Sequence, residues 1–589
     1  MRITPVQNSF TSGEISPRLQ ARFDMDAYYS GAAKLVNFVC TPHGPLIRRQ
    51  GTTFIAQAKT NDVRLIPFRF SVTNSLILEF SAGYIRFYFA GGQVMTAPDS
   101  DIPYEIATPY TAQQIHELDW AQSGDTLYIV HPNVAPQKLV RTANNNWSIS
   151  AVSFTNKPAA WGQTYTEGGI TKYSWPAHIV FHEQRLFYAA TPLRPQTLWG
   201  SRTGLYDEFT MTDGDGNITA DMAIAYTIAS DEVNGIVWMK AVDNLTLGTA
   251  GAEYQVTAGS YTEALSPTNI RIKRQTSYGA LGARVQQVGS GVVFPQRGGT
   301  RVRYFEYGYV EDQYTAIDLT ITAEHILRGK IKEIDMQTVQ DTYVWCVLHN
   351  GDLVGLTYEK QQKVLGWHKH DFGGLVKSVA VIPGDPSDEV WLAITRTINN
   401  TDVTYVEALF DAFSEVDTPD QGYFADSHLY YDDDTAIAVV GGLDHLEGCE
   451  VTVNVDGWVH PNVIVENGSI TLQQYGKRIV VGLPYESRLE TCTLQSSDQV
   501  IMGNLKRLYA AKVSVLQTLG LTLGVIGYPE QTIFMGPTMV MNKAKPLFTG
   551  TLDVRLPASS DREIQVFATT EMPLPCEIRA IKYEIEVNQ

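Results

Sequence analysis

Two histidines stand two residues apart in Trp367-His-Lys-His-Asp371. That spacing puts both rings on one face of a strand, where imidazole nitrogens ligate zinc, copper or nickel. No third ligand is identifiable in the sequence, and an exposed blade edge is the plainer reading of the pair. Asp213-Gly-Asp215-Gly-Asn217-Ile-Thr219-Ala-Asp221 alternates oxygen side chains as the start of a calcium loop does. Ile218 stands where an EF-hand places glycine, and Ile224 where it places its bidentate glutamate. A polar surface loop is therefore the expectation there. Paired carboxylates would suit glycoside hydrolysis, but a chain with 63 Asp and Glu offers many pairs and singles out none. GxGxxG, the P-loop, HExxH and GxSxG are all absent. The sequence thus names no catalytic residue, no cofactor and no metal site.

Charge is distributed unevenly. Residues 1 to 49 carry six basic side chains, Arg2, Arg18, Arg22, Lys34, Arg48 and Arg49, against the acids Glu14, Asp24 and Asp26. This segment is about +3 in a chain of net charge -18, which leaves about -21 for the rest. Two readings stand side by side: a basic arm docking on an acidic partner or neighbouring subunit, and an ordered strap on its own domain. Candidate assembly contacts are Arg18, Arg22, His43, Arg48 and Arg49. In Cys40-Thr-Pro-His-Gly-Pro-Leu-Ile-Arg-Arg-Gln-Gly-Thr-Thr-Phe-Ile55, Pro42, Gly44 and Pro45 bend the backbone. The part from Ile47 to Ile55 reads as a short edge strand. Arg48 and Arg49 would point to opposite faces of it, with different partners.

Between Arg396 and Lys477 the 80 intervening residues contain fifteen acids and no Lys or Arg. Charge this dense repels itself. It faces solvent, is paired in trans, binds cations or lines a channel past which DNA slides without sticking, since phosphates need basic partners. Asp432, Asp433, Asp434, Asp444 and Glu447 are the channel candidates. The overall acidity argues against a free-standing nucleic-acid binder.

The elements that must position these residues are strands. Short apolar runs begin at Leu76, Leu127, Leu186, Leu245, Val292, Tyr343 and Val390, each after a polar turn, such as Thr73-Asn74-Ser75 before Leu76. The starts are 51, 59, 59, 47, 51 and 47 residues apart. Several strands per 40 to 50 residues is the signature of a β-propeller. Ordinary hairpins in β-sandwiches are the alternative. A helix is expected over 24–36, capped by Asp24. Asn504–Gln517 would suit helix or strand, and Val513 and Val515 favour strand. The predicted fold class is mainly β. It divides into an irregular N-terminal arm at 1–60, a β-propeller-like domain of up to seven blade-like units at 61–410, an acidic β-rich domain at 411–545, and a C-terminal β segment at 546–589 that returns to the main body. The five cysteines are scattered without CxxC, as reduced thiols made in a cytosol are. Neither an apolar leader nor a run of about 18 apolar residues is present, so no membrane span is expected.

Several segments together resemble the tail nozzle proteins of short-tailed bacteriophages, also called tail tubular protein B. They are the run from Asn8 to Ala56, Trp120–Arg141, Arg185–Phe209 and Asn350–His370, and further on Gly442–Val459 and Gly476–Thr491. The resemblance extends over about 8–580 and lies in the joint order of the motifs. It implies a virion structural protein, not an enzyme, that forms a homohexameric ring below the adaptor attached to the portal. Such a ring retains the packaged double-stranded DNA, conducts it at infection, and helps dock fibres or spikes. A receptor-binding or polysaccharide-degrading propeller protein of the tail is the rival expectation.

Overall fold

A computed structural model describes all residues except 1, 72–73, 230–233, 261–262, 311, 411–412, 414–416, 497–500, 530, 533–543 and 589, with backbone alone at 531–532 and 557–559. Thr73 of the first turn and the acids Asp411 and Glu415 lie outside the described residues. The chain forms two compact units. One comprises 62–321 and 327–335; the other comprises 1–61, 322–326 and 336–589.

The unit at 62–321 and 327–335 is propeller-like. Five antiparallel sheets follow one another along the chain, with Leu76, Leu127, Leu186, Leu245 and Val292 each in the second strand of its sheet. Those second strands, such as Thr126–His131 and Arg185–Thr191, are buried on both faces. Alternate side chains serve opposite neighbours. Leu127 and Ile129 pack with the first sheet, while Tyr128 and Val130 pack with the third. Leu186 and Tyr188 join that same layer, and Phe187 and Ala189 face the fourth sheet. Trp238 leads the layer between the fourth and fifth sheets, and its indole lies against Gly248, where an added Cβ would fall 2.1 Å from the ring. Successive sheets therefore share apolar layers face to face, which is how propeller blades pack. A two-stranded hairpin, Gln163–Glu167 with Ile170–Ser174, is inserted between the second and third sheets.

The first strands of these sheets form a ring. They are Arg64–Arg69, Asp119–Ser123, His178–His182, Ile236–Ala241 and Gln286–Val288, and residues 331–335 supply a sixth member. Of the up to seven blade-like units expected over 61–410, this unit holds five as complete sheets, with one further inner strand at 331–335. The last two predicted units, at Tyr343 and Val390, do begin second strands of antiparallel groups, but those strands belong to the other unit.

That other unit holds the large sheets. In one, Gly13–Glu14 and Gly31–Val36 lie between Val364–His370 and Ser487–Thr491. In another, Thr53–Gln57 lies between Thr401–Leu409 and Asp426–Val440. In the third, Arg2–Ile3, Val6–Gln7 and Leu46–Arg48 pair with the C-terminal strand Glu577–Asn588. The N-terminal segment is therefore neither irregular nor an arm: it is an internal strap that three sheets are built around. The predicted helix shrinks to Asp26–Tyr29, and Asp24 does not cap it, because its carboxylate is taken by Arg22. Gly31 ends the turn against Ala27 and Ile15, where any Cβ would clash, and Gly31–Val36 continues as strand. Leu505–Thr518 is a 14-residue strand between Phe548–Asp561 and Glu577–Asn588. The acidic region 426–483 has its own apolar core around Val451, Val453, Ile470 and Ile479.

Candidate functional site

Leu46–Arg48 ends at Arg48, and the chain crosses from one sheet to the next before Thr53–Gln57 begins. Neither strand is a sheet edge, so the single edge strand expected over Ile47–Ile55 is replaced by a crossing. Arg48 and Arg49 stand at that crossing and are 1% and 6% exposed. Arg48 donates to the carbonyls of Leu574 (3.0 Å) and Tyr485 (3.0 Å) and to that of Met572. Arg49 makes a two-pronged ion pair with Asp426 (2.7 and 2.8 Å) and donates to Asn37 and to the Asp371 carbonyl. Burial opposes the Arg49 charge, but Asp426 outweighs it and raises the guanidinium above its ordinary value. A second pair lies alongside: Arg396 on Glu407 at 2.7 Å, with Thr52 hydrogen-bonded to Glu407. These two arginines brace their own fold and are corrected from assembly contacts to internal ones. The reason is geometric: after Arg48 the backbone leaves the strand, so the alternation rule no longer separates the two side chains.

The other assembly candidates remain on the surface. Arg18 is paired with Glu324 at 2.8 Å and Arg22 with Asp24 at 2.7 Å, while His43 is exposed on the proline turn.

Asp432, Asp433 and Asp434 lie on a ribbon made of Asp426–Val440 and Ile470–Leu483, while Asp444 opens the short helical turn that follows its first strand and Glu447 ends it. Register breaks between Asp432 and Ile437, and Asp432, Asp433 and Asp434 are exposed there. Arg478 bridges Asp432 (3.1 Å) and Asp420 (2.9 Å), and Lys477 lies 4.0 Å from Asp434. Asp444 is exposed; Glu447 instead accepts the backbone N–H groups of Asn467 and Gly468, closing a turn. The acidic run is thus partly neutralised by cations from its two ends and from Arg49. Beside the ribbon, Tyr423, His428, Tyr430, Asp420 and Arg478 line an open pocket of about 400 Å³, with Tyr423 stacked flat on His428.

The two sequence motifs with ligand spacing resolve differently. His368 and His370 are buried, not exposed, and joined ring to ring at 2.6 Å. Burial holds His368 down to about 3 and His370 well below its ordinary value. Asp213 folds back on its own loop, accepting the backbone N–H of Asp215 and Asn217. Among the described residues no group of three or more His, Cys, Asp or Glu is placed to hold a metal ion.

A site that sequence reasoning missed lies on the axis of the propeller-like unit. The ring of first strands encloses a cavity of about 310 Å³. Arg64 closes the ring onto Glu333 at 3.6 Å and donates to the carbonyls of Ile115 and Leu118. Arg69 and Gln122 exchange hydrogen bonds between the first and second sheets. Asp119 accepts from His178 (3.3 Å), from Arg284 (2.9 Å) and from the Trp120 and Ile179 backbone. Burial works against its charge, yet His178 and Arg284 prevail and hold the carboxyl below its ordinary value. Arg284 also lies 3.9 Å from the Trp120 ring centre. Lys240 faces the same space, and burial together with the Arg284 charge lowers its amine to about 8. The available signal was position: each of these residues sits in or beside the first strand of a repeat.

No family model matches the chain. No curated protein matches it either. Among solved structures, the WD40 domain of Neurospora crassa Pan2 is similar at 8% identity, over 62% of this chain and 96% of that domain, with a TM-score of 0.34.

Proposed function

We propose that this chain is a structural subunit of a short phage tail, the nozzle that continues the portal and adaptor channel. The observation that carries the reading is the ordered set of segments from about 8 to 580 that resembles that family. The exposed Asp432–Asp434 cluster supports it. A surface on which exposed carboxylates outnumber cations makes few phosphate ion pairs, so a duplex passes along it without being held. In this reading the chain assembles as a homohexamer under the adaptor ring, and the ribbon 426–483 faces the lumen. A reconstruction of the intact tail tests both parts. Six copies around the axis with Asp432–Asp434 facing inward are expected. The lumen assignment fails if that cluster points outward, and the nozzle reading fails if the chain is found in a peripheral spike.

The rival reading, a glycan-binding tail protein, has one observation in its favour: the tyrosine-lined pocket flanked by Asp420 and Arg478. Native mass spectrometry separates the two. Hexamers support the nozzle; trimers together with cleavage of host polysaccharide support the rival.

A further inference from the structure

The axial cavity holds two cations with unused donors. Lys240 makes no hydrogen bond or ion pair with any described residue. Arg284 spends one terminal nitrogen on Asp119 and the Trp120 carbonyl, and its remaining N–H groups have no partner among the described residues. The carboxylates of the cavity wall are already engaged. Asp119 takes four donors, Glu333 faces Arg64, Asp335 accepts from Gln286 at 3.0 Å, and Glu117 pairs with His131 at 3.1 Å. Lys240 and the outer edge of Arg284 thus present donors to the cavity that no described residue accepts, and an anion would satisfy both.

We propose that the axial cavity binds a phosphate-class oxyanion, held by the Lys240 ammonium and the free edge of the Arg284 guanidinium. Arg284 offers the planar fork that matches two oxygens of a tetrahedral anion, and Lys240 a point charge for a third. Asp119 and Trp120 fix the guanidinium from behind, so the fork is held in place before the anion arrives. The volume of about 310 Å³ exceeds a bare phosphate and leaves room for the organic part of a small phosphomonoester. Burial first and Arg284 second lower the Lys240 amine against the pull of Asp335 and Asp119, and an anion would raise it again. This inference is independent of the nozzle reading.

The test uses the full-length chain and two measurements. Isothermal titration with inorganic phosphate is expected to show saturable binding, with Lys240→Met weakening it about tenfold or more, the loss of one charge-assisted hydrogen bond. Lysine acylation read by mass spectrometry, on the unmutated protein, is expected to show Lys240 protected by phosphate while surface lysines react unchanged. A small phosphomonoester binding more tightly than inorganic phosphate would assign the wider cavity to an ester. The proposal is overturned if phosphate binding is not saturable, if Lys240→Met binds as the parent does, if acylation of Lys240 ignores phosphate, or if acetate binds as tightly.

Discussion

Arg48 and Arg49, neighbours in the chain, lie over the same aromatic ring: their guanidinium carbons are 4.5 and 4.0 Å from the centre of Tyr485. Tyr485 also donates its hydroxyl to the Arg49 carbonyl. Two cations on one buried ring are tolerable because Asp426 neutralises one and three carbonyls solvate the other.

Removing Asp426 strands a buried charge. Asp426→Ala is expected to cost about 3–5 kcal/mol, the range for breaking a buried ion pair from one side. Denaturant unfolding measures it. Arg22→Ala, which breaks an exposed pair, is expected to leave the unfolding midpoint unchanged. Comparable midpoints for the two variants would remove Arg49–Asp426 from the core of this account.

Gly248 is there because Trp238 is. Gly248→Ala is expected to destabilise the propeller-like unit by about 1–3 kcal/mol through overpacking against the indole. Trp238→Leu makes room, so the double variant should lose less than the two single losses added together. A strictly additive pair would mean the contact is not what fixes this glycine.

Acid should weaken the unit at 1–61 and 336–589 before its carboxylates matter. Burial holds His368 down to about 3, His428 to about 4, and His370 well below its ordinary value. Below the unfolded value of about 6.5 the unfolded chain takes up protons that the folded chain refuses. Stability is therefore present at neutral pH and lost as pH falls from about 6.5 towards 4, by up to about 1.4 kcal/mol per pH unit for each histidine. Urea midpoints at pH 7, 5.5 and 4 read the slope, and His428→Gln should flatten it. An unchanged slope would locate the acid sensitivity elsewhere.

The ring should open at one place first. Glu333→Gln weakens the closure between Arg64 and residues 331–335, where both side chains are nearly buried. Hydrogen exchange is expected to quicken in Arg64–Arg69 and 331–335 while Arg185–Thr191 keeps its protection. Uniform loosening of all five sheets would contradict closure at that pair.

What the sequence makes legible follows from burial. Thr126–His131 and Arg185–Thr191 are covered on both faces, so they read as unbroken apolar runs, and the repeat emerges from them. The inner strands carry Asp119, His178 and Lys240 among apolar residues and read as mixed, which hides the axial site. The N-terminal strands were invisible for another reason. Gly13–Glu14 is two residues long, and its partner Trp367 lies some 350 positions away, so no local pattern marks it. The Arg48 and Arg49 assignment went astray at a strand end, where alternation ceases to hold.

The Arg64–Glu333 contact has a topological consequence. It joins the first strand of the propeller-like unit, Arg64–Arg69, to 331–335, the last stretch of chain in that unit. Residues 322–326 leave the unit and 327–335 come back to it, so the ring is closed by a separate piece of chain, as a buckle closes a belt. The integrity of the ring thus rests on side-chain contact at that point and not on an unbroken run of strands.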